Sequence, residues 1–121
     1  MFIAYVTFTL LAAATNIYAA ASDFTRPAWL LANMTRLGIP EAWLPALGAL
    51  KAAGALGLLF GIAVPQIGVA AAAGLTLFFV GAVITHLRAG DRSLGNGVPI
   101  LFLLLALSAL VLRIYGAGTL T

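Results

Sequence analysis

Four apolar stretches divide the chain, separated by two polar intervals and one very short break. Residues 2–21 carry no charged side chain, and at about 1.5 Å per residue they can cross a hydrocarbon layer of about 30 Å as a helix. This stretch has no Lys or Arg ahead of it and exceeds the usual signal-peptide core of about 7 to 15 residues, so it reads as a retained span. The second run, residues 43–64, is interrupted only by Lys51 and has Pro45 in its first turn, where a missing N–H is tolerated. The third continues without charge through residue 85, and the fourth is uncharged from Val98 to Leu112. Arg113 near its end can snorkel toward the headgroups, which extends that helix to about residue 116. The pattern predicts an all-α integral membrane four-helix bundle with spans near 2–21, 43–64, 67–86 and 98–116, forming one domain over residues 1–121.

The intervals between the runs set the topology. Val64, Pro65 and Gln66 are the whole connection between the second and third spans, so these two form an antiparallel hairpin. Residues 22–42 form the first long loop. Within it, Trp29, Leu30, Met34 and Leu37 recur at helical spacing beside Arg26 and Arg36, which fits a short amphipathic helix at headgroup level. An irregular loop anchored by Trp29 and Trp43 at the interface fits as well. The other long loop, residues 87–97, ends in the turn-forming Gly95, Asn96 and Gly97. The two long loops hold Arg26, Arg36, Arg88 and Arg92, whereas the opposite side holds Arg113. By the positive-inside rule the loops 22–42 and 87–97 face the cytoplasm and both termini face outward.

Composition agrees with that reading. The chain is 64% hydrophobic and 7% charged, too few charges to cover a soluble surface, which typically carries about 25–35% of them. There is no cysteine, which removes disulfides, thiolate metal sites and thiol relays. The six Lys and Arg are dispersed, mostly at the ends of apolar runs, so the basic balance reads as topology and not as a nucleic-acid patch. The expected partner is the lipid bilayer, together with other membrane proteins or a second copy of the chain.

Small residues supply the contacts that such a bundle needs, since lipid gives helices no hydrophobic reason to associate and backbones must approach closely. Gly54, Gly57 and Gly61 line the second span and Gly68 and Gly81 the third, while Ala12, Asn16 and Ala20 form a narrow stripe on the first. These positions read as helix packing within the chain, with an oligomer interface as the alternative.

Chemistry is sparse. Lys51 lies eight residues beyond Trp43, about 12 Å below the interface. Two readings stay open for it: a stem that snorkels to headgroups, or a member of a polar pocket. The groups sharing that half of the bilayer are Asn16 and Tyr18 on the first span, Thr85, His86 and Arg88 at the end of the third, and Asp23 and Asp91 just outside. Such a cluster could take a polar or anionic head group at the mouth of an apolar cleft. His86 is the single histidine, so no three-ligand zinc site can form and no metal is expected. The three carboxylates all fall in loops, giving no intramembrane acid/base pair. Nucleophile-elbow, phosphate-loop and dinucleotide patterns do not occur, so no catalytic residue is assigned.

The segment "LGIPEAWLPALGALKAAGALGLLFG" followed by "GVAAAAGLTLFFVGAVITHLRAGD" resembles the DoxX-like family of small four-helix bacterial membrane proteins. The resemblance spans nearly the whole chain and is most specific at GAVITHLRAGD. It implies a four-span bundle associated with membrane redox proteins, because DoxX is named for a thiosulfate:quinone oxidoreductase subunit and its relatives are linked to oxidative-stress assemblies. Gly81, Ala82, Thr85, His86 and Arg88 match the family motif and are carried over as a conformational or binding signature. Family members often have an acidic residue near the place of Lys51, a departure in this sequence.

Three functions follow as expectations. The first is a non-catalytic accessory or interaction subunit of a membrane redox or stress-response assembly, with no cofactor of its own. The alternative is a quinone- or lipid-binding subunit of a membrane oxidoreductase that uses the pocket around Lys51 and His86. A small-molecule transporter or channel ranks third, because the half opposite Lys51 offers little polarity beyond Gln66, Thr76 and Ser108.

Overall fold

The computed structural model describes residues 2–90 and 97–116. The Asp91, Arg92, Gly95 and Asn96 readings therefore lie outside the described residues. Helix α1 spans Phe2–Thr25, α2 Ala28–Leu37, α3 Leu44–Phe60, α4 Pro65–Arg88 and α5 Gly97–Val111. A 3₁₀ turn over Glu41–Trp43 leads into α3, and a π-helical turn over Leu112–Gly116 continues α5. No strand occurs among the described residues. Four stretches are long and apolar enough to cross a membrane: Phe2–Thr25, Glu41–Phe60, Pro65–Arg88 and Gly97–Tyr115.

Local chemistry accounts for the breaks. The αL conformation of Gly38 closes α2, and the Ile39 amide donates to the Met34 carbonyl at 3.0 Å. That is a Schellman cap, which satisfies carbonyls otherwise left open at the helix end. The amphipathic reading of the first loop thus holds: α2 is a helix. Helix α3 stops at Phe60, four residues before the end of its apolar run. Pro65 occupies the first turn of α4 and holds Val64 in an extended conformation, φ −121 and ψ 97, as a residue before proline prefers. The break therefore falls on residues 61–64. Helix α1 departs in the other direction, running four residues past its apolar stretch and bringing Asp23 inside a helix. It ends at Arg26, whose φ of 54 is the one left-handed backbone among the described non-glycine residues.

The four long helices pack as a ring in which each touches its neighbours in the order α1, α3, α4, α5 and back to α1. The centre is filled mainly by alanine: Ala12, Ala13, Ala55, Ala72, Ala106 and Ala109 are essentially inaccessible and close around Leu58, Leu75 and Phe79. Side chains this small allow the close helix contacts that association in lipid requires. The α3/α4 hairpin is tightest at Gly61 and Gly68. A Cβ on Gly61 would collide with the Gly68 backbone, and one on Gly57 would lie 2.7 Å from the Ala71 Cβ. A Cβ on Gly54 would meet Leu75 at 2.5 Å. Gly81 differs, for nothing lies within 4 Å of the position its Cβ would take. Outside the ring the large side chains face away from the protein, with Ile3 82% and Leu77 72% exposed. An apolar surface of that extent belongs in lipid.

Candidate functional site

At the end of the bundle where α1 finishes and α3 begins, the ring opens into a cavity of about 870 Å³. All five helices contribute to its wall. Trp29, Leu30, Met34 and Leu37 of α2 form one apolar side, and Phe78, Phe79 and Phe102 form the opposite one. The phenyl rings of Phe79 and Phe102 meet edge on, with centroids 5.2 Å apart, and Phe78 meets Phe79 likewise at 5.0 Å. Helix α2 makes only sparse contacts with the ring, so it lies over the cavity as a cover and adds little to the core.

The polar part of the wall is built around an ion pair. Lys51 Nζ donates to Asp23 Oδ2 at 2.9 Å, and the two side chains are 14% and 3% exposed. Lys51 Nζ also sits 5.5 Å from the centroid of the Phe78 ring, within reach of a cation–π contact. The pair exists because α1 stays helical past its apolar run and because Gly48, one turn before Lys51, lets α3 lie close to α1. A Cβ on Gly48 would approach the Asp23 Cβ at 3.1 Å and the Phe24 ring at 3.0 Å. A buried carboxylate needs such a partner, since removing either charge alone would leave the other uncompensated.

Other candidate residues divide between those that face the cavity and those that do not. Lys51, His86, Thr85 and Tyr18 all line it, His86 being 7% exposed and Tyr18 66%. The Thr85 hydroxyl donates back to the Gly81 carbonyl at 2.8 Å, and the Ser22 hydroxyl to the Tyr18 carbonyl at 3.1 Å. Both oxygens can therefore only accept from a ligand. Lys51, which keeps protons beyond the one given to Asp23, and the His86 imidazole add hydrogen-bonding capacity to the wall, as do Asn33 and Arg36 on α2, where Arg36 Nη2 donates to Asn33 Oδ1 at 2.6 Å. Gly81 contributes open wall. Arg88 is exposed and Asn16 is fully buried, and neither lines the cavity. Asn16 lies seven residues deeper along α1 than Asp23, about 10 Å, and its Nδ2 donates to the Ala12 carbonyl at 2.8 Å.

Asp23 is the site residue that the hydropathy pattern misplaces, because a charge at the end of an apolar run looks like the start of a loop. The spacing of Tyr5, Thr9, Ala12, Asn16, Ala20 and Asp23 holds the missing signal. These residues recur at intervals of three or four, so they share one helix face, and all are buried. Arg113 is a second correction. Instead of snorkelling it is 3% exposed and its guanidinium lies over the Tyr5 ring, 4.9 Å from the centroid. Among the described residues no group of three or more His, Cys, Asp or Glu side chains could hold a metal ion.

No curated protein and no solved structure matches the chain. The family model of the DoxX-like family does, over residues 7–111, a stretch that takes in four of the five helices whole and all but the first turn of α1. With four helices fit to cross a membrane, that match identifies the chain as a small multi-pass integral membrane protein belonging to the DoxX-like family.

Proposed function

We propose that this protein binds an amphipathic, carbonyl-bearing molecule of quinone or lipid type in the cavity beneath α2, and does so as a non-catalytic subunit of a membrane redox or stress-response assembly. The observation that carries the reading is the cavity itself. Its volume of about 870 Å³ lies within the range of about 300–1,000 Å³ typical of small-molecule sites, and an apolar wall with a few convergent polar groups is their usual chemistry. Aromatic rings on one side and the α2 side chains on the other would hold a flat ring or acyl chain. Lys51 would donate to a carbonyl oxygen while Asp23 keeps the ammonium in place, with His86 alongside. Among the described residues Asp23 is the one acid in the wall and it is held by Lys51, so no carboxylate pair is on hand for acid/base catalysis, which supports a binding role.

The family's association with redox assemblies supports an accessory role, and the distribution of arginine supports the orientation. Loops 22–42 and 87–97 would then face the cytoplasm of a bacterial cell, placing the cavity mouth at the cytoplasmic interface. A reporter fused after Thr121 checks this: alkaline phosphatase activity is expected, and fluorescence from a cytoplasm-only reporter would reverse the orientation.

Ligand binding is tested by purifying the protein in mild detergent and identifying co-purifying quinones and lipids by mass spectrometry, beside the double variant Asp23→Leu with Lys51→Met. Replacing both partners of a buried ion pair by apolar groups is often neutral or stabilising, so the double variant should fold. It should lose a molecule that the native chain retains. Identical extracts from the two proteins would contradict the proposal.

A further inference from the structure

The opposite end of the bundle, where α1 begins and α5 finishes, contains a second polar cluster independent of the cavity. Arg113 is 3% exposed, and its Nε and Nη1 atoms have no hydrogen-bond partner. The hydroxyl of Tyr5, whose ring lies beneath the guanidinium, and that of Thr9, one turn deeper on α1, are equally unpartnered, with Tyr5 2% exposed and Thr9 inaccessible. Buried polar groups in folded proteins nearly always have partners, and a hydrogen bond left unmade there is costly, more so for a charged group.

Among the described residues no acid side chain in this part of the fold offsets the charge. Of the described carboxylates, Asp23 is paired with Lys51, and Glu41 lies in the turn before α3, both at the far end. Tyr5 and Asp23 are eighteen residues apart on α1, about 27 Å, and the space between the two ends is filled by the alanine core. The contact of the guanidinium with the Tyr5 ring returns only part of what removing an ion from water costs. Arginine near a helix end usually extends its head to the interface. Here the guanidinium is turned inward over the Tyr5 ring, and the unpartnered groups of this end, the guanidinium and the hydroxyls of Tyr5 and Thr9, are all able to donate.

A set of donors carrying one positive charge complements an oxyanion. We propose that Arg113, Tyr5 and Thr9 form an oxyanion site, which takes a phosphate or carboxylate group arriving at the membrane surface where α1 starts. Charge-assisted hydrogen bonds from arginine to such a group are about twice as strong as neutral ones. The backbone supports the assignment independently. Arg113 is carried on the π-helical turn Leu112–Gly116, and π-helical turns are rare and recur at functional sites. The same oxyanion chemistry could be presented by an anionic lipid headgroup or by a free anion, and the experiment separates them.

The test is thermal unfolding of the full chain in phosphatidylcholine nanodiscs, with three additions made separately: phosphatidylglycerol in the bilayer, inorganic phosphate, and decanoate, each against sodium chloride at matched ionic strength. Wild type should be stabilised by at least one addition, and Arg113→Met should respond with an apparent affinity about tenfold weaker. Without additions Arg113→Met should unfold no earlier than wild type, because it removes an uncompensated charge. A response to phosphatidylglycerol alone identifies the ligand as a lipid headgroup, while one to phosphate or decanoate identifies a free anion. Tyr5→Phe removes only one hydroxyl and keeps the test open if Arg113→Met does not fold, with a weaker response than wild type expected. Wild type and the folded variants responding alike to every addition, or not at all, overturns the proposal.

Discussion

The two ends of this bundle hold buried cations in opposite circumstances. At the cavity end, Lys51 is paired with Asp23 at 2.9 Å and opens onto a space of about 870 Å³. At the terminal end, Arg113 is turned onto Tyr5 with two nitrogens unpartnered, next to the closest backbone contact of the α3/α4 hairpin, at Gly61 and Gly68. One end holds its charge with a side chain of its own and leaves room for a ligand. The other is tightly built and leaves its charge in need of an acceptor. The difference shows that burial of a charge does not by itself mark a binding cavity: what distinguishes the ends is where α2 lies and how closely the helices approach.

The largest effect should come from unpairing the cavity end. Lys51→Met strands the Asp23 carboxylate, 3% exposed, and should lower stability by about 3–5 kcal/mol. Adding Asp23→Leu should recover most of that loss. Chemical unfolding in detergent micelles measures both, and a single variant as stable as the double one would show that the pair is not the structural unit described here.

Next in size is the contrast between two glycines. Gly61→Ala would place a methyl group on the Gly68 backbone and should cost about 1–3 kcal/mol, as overpacking does. Gly81→Ala meets open space and should change stability by less than about 0.5 kcal/mol, the usual range for unconstrained positions. Equal losses at the two positions would remove the distinction between a tight end and an open one. The smallest effect is a gain. Arg26, with φ of 54, holds the corner between α1 and α2, and a left-handed conformation costs a non-glycine residue about 1–2 kcal/mol. Arg26→Gly should return up to about 1 kcal/mol of this once the greater chain entropy of glycine is subtracted, visible as a small rise in Tm.

The sequence shows the helical runs clearly, because an uncharged stretch of about twenty residues has few alternatives in a membrane protein. The amphipathic α2 and the α3/α4 hairpin were legible for similar reasons, through the spacing around Trp29 and the proline at position 65. Hydropathy alone could not place Asp23 or Arg113, since it reads a charge as the end of a span and says nothing of which way the side chain turns. Helical phase carries that information, and on α1 it joins Tyr5, Thr9, Asn16 and Asp23 into one buried face. The cavity was beyond either signal. It depends on how α2 lies over Phe78, Phe79 and Phe102, residues from distant parts of the chain. Gly81 shows the same limit, for as a sequence position it resembles Gly68, yet one faces open space and the other a neighbouring backbone.

The chain has two tryptophans, Trp29 and Trp43, and both line the cavity. Quinones quench tryptophan fluorescence, so titrating a short-chain ubiquinone into the protein in nanodiscs reports directly on occupation of this site. Saturable quenching is expected in wild type and in Arg113→Met, and only linear, non-saturating quenching in the Asp23→Leu with Lys51→Met double variant. Saturable quenching of equal strength in all three, or none in wild type, would contradict the assignment of a quinone site to the cavity end.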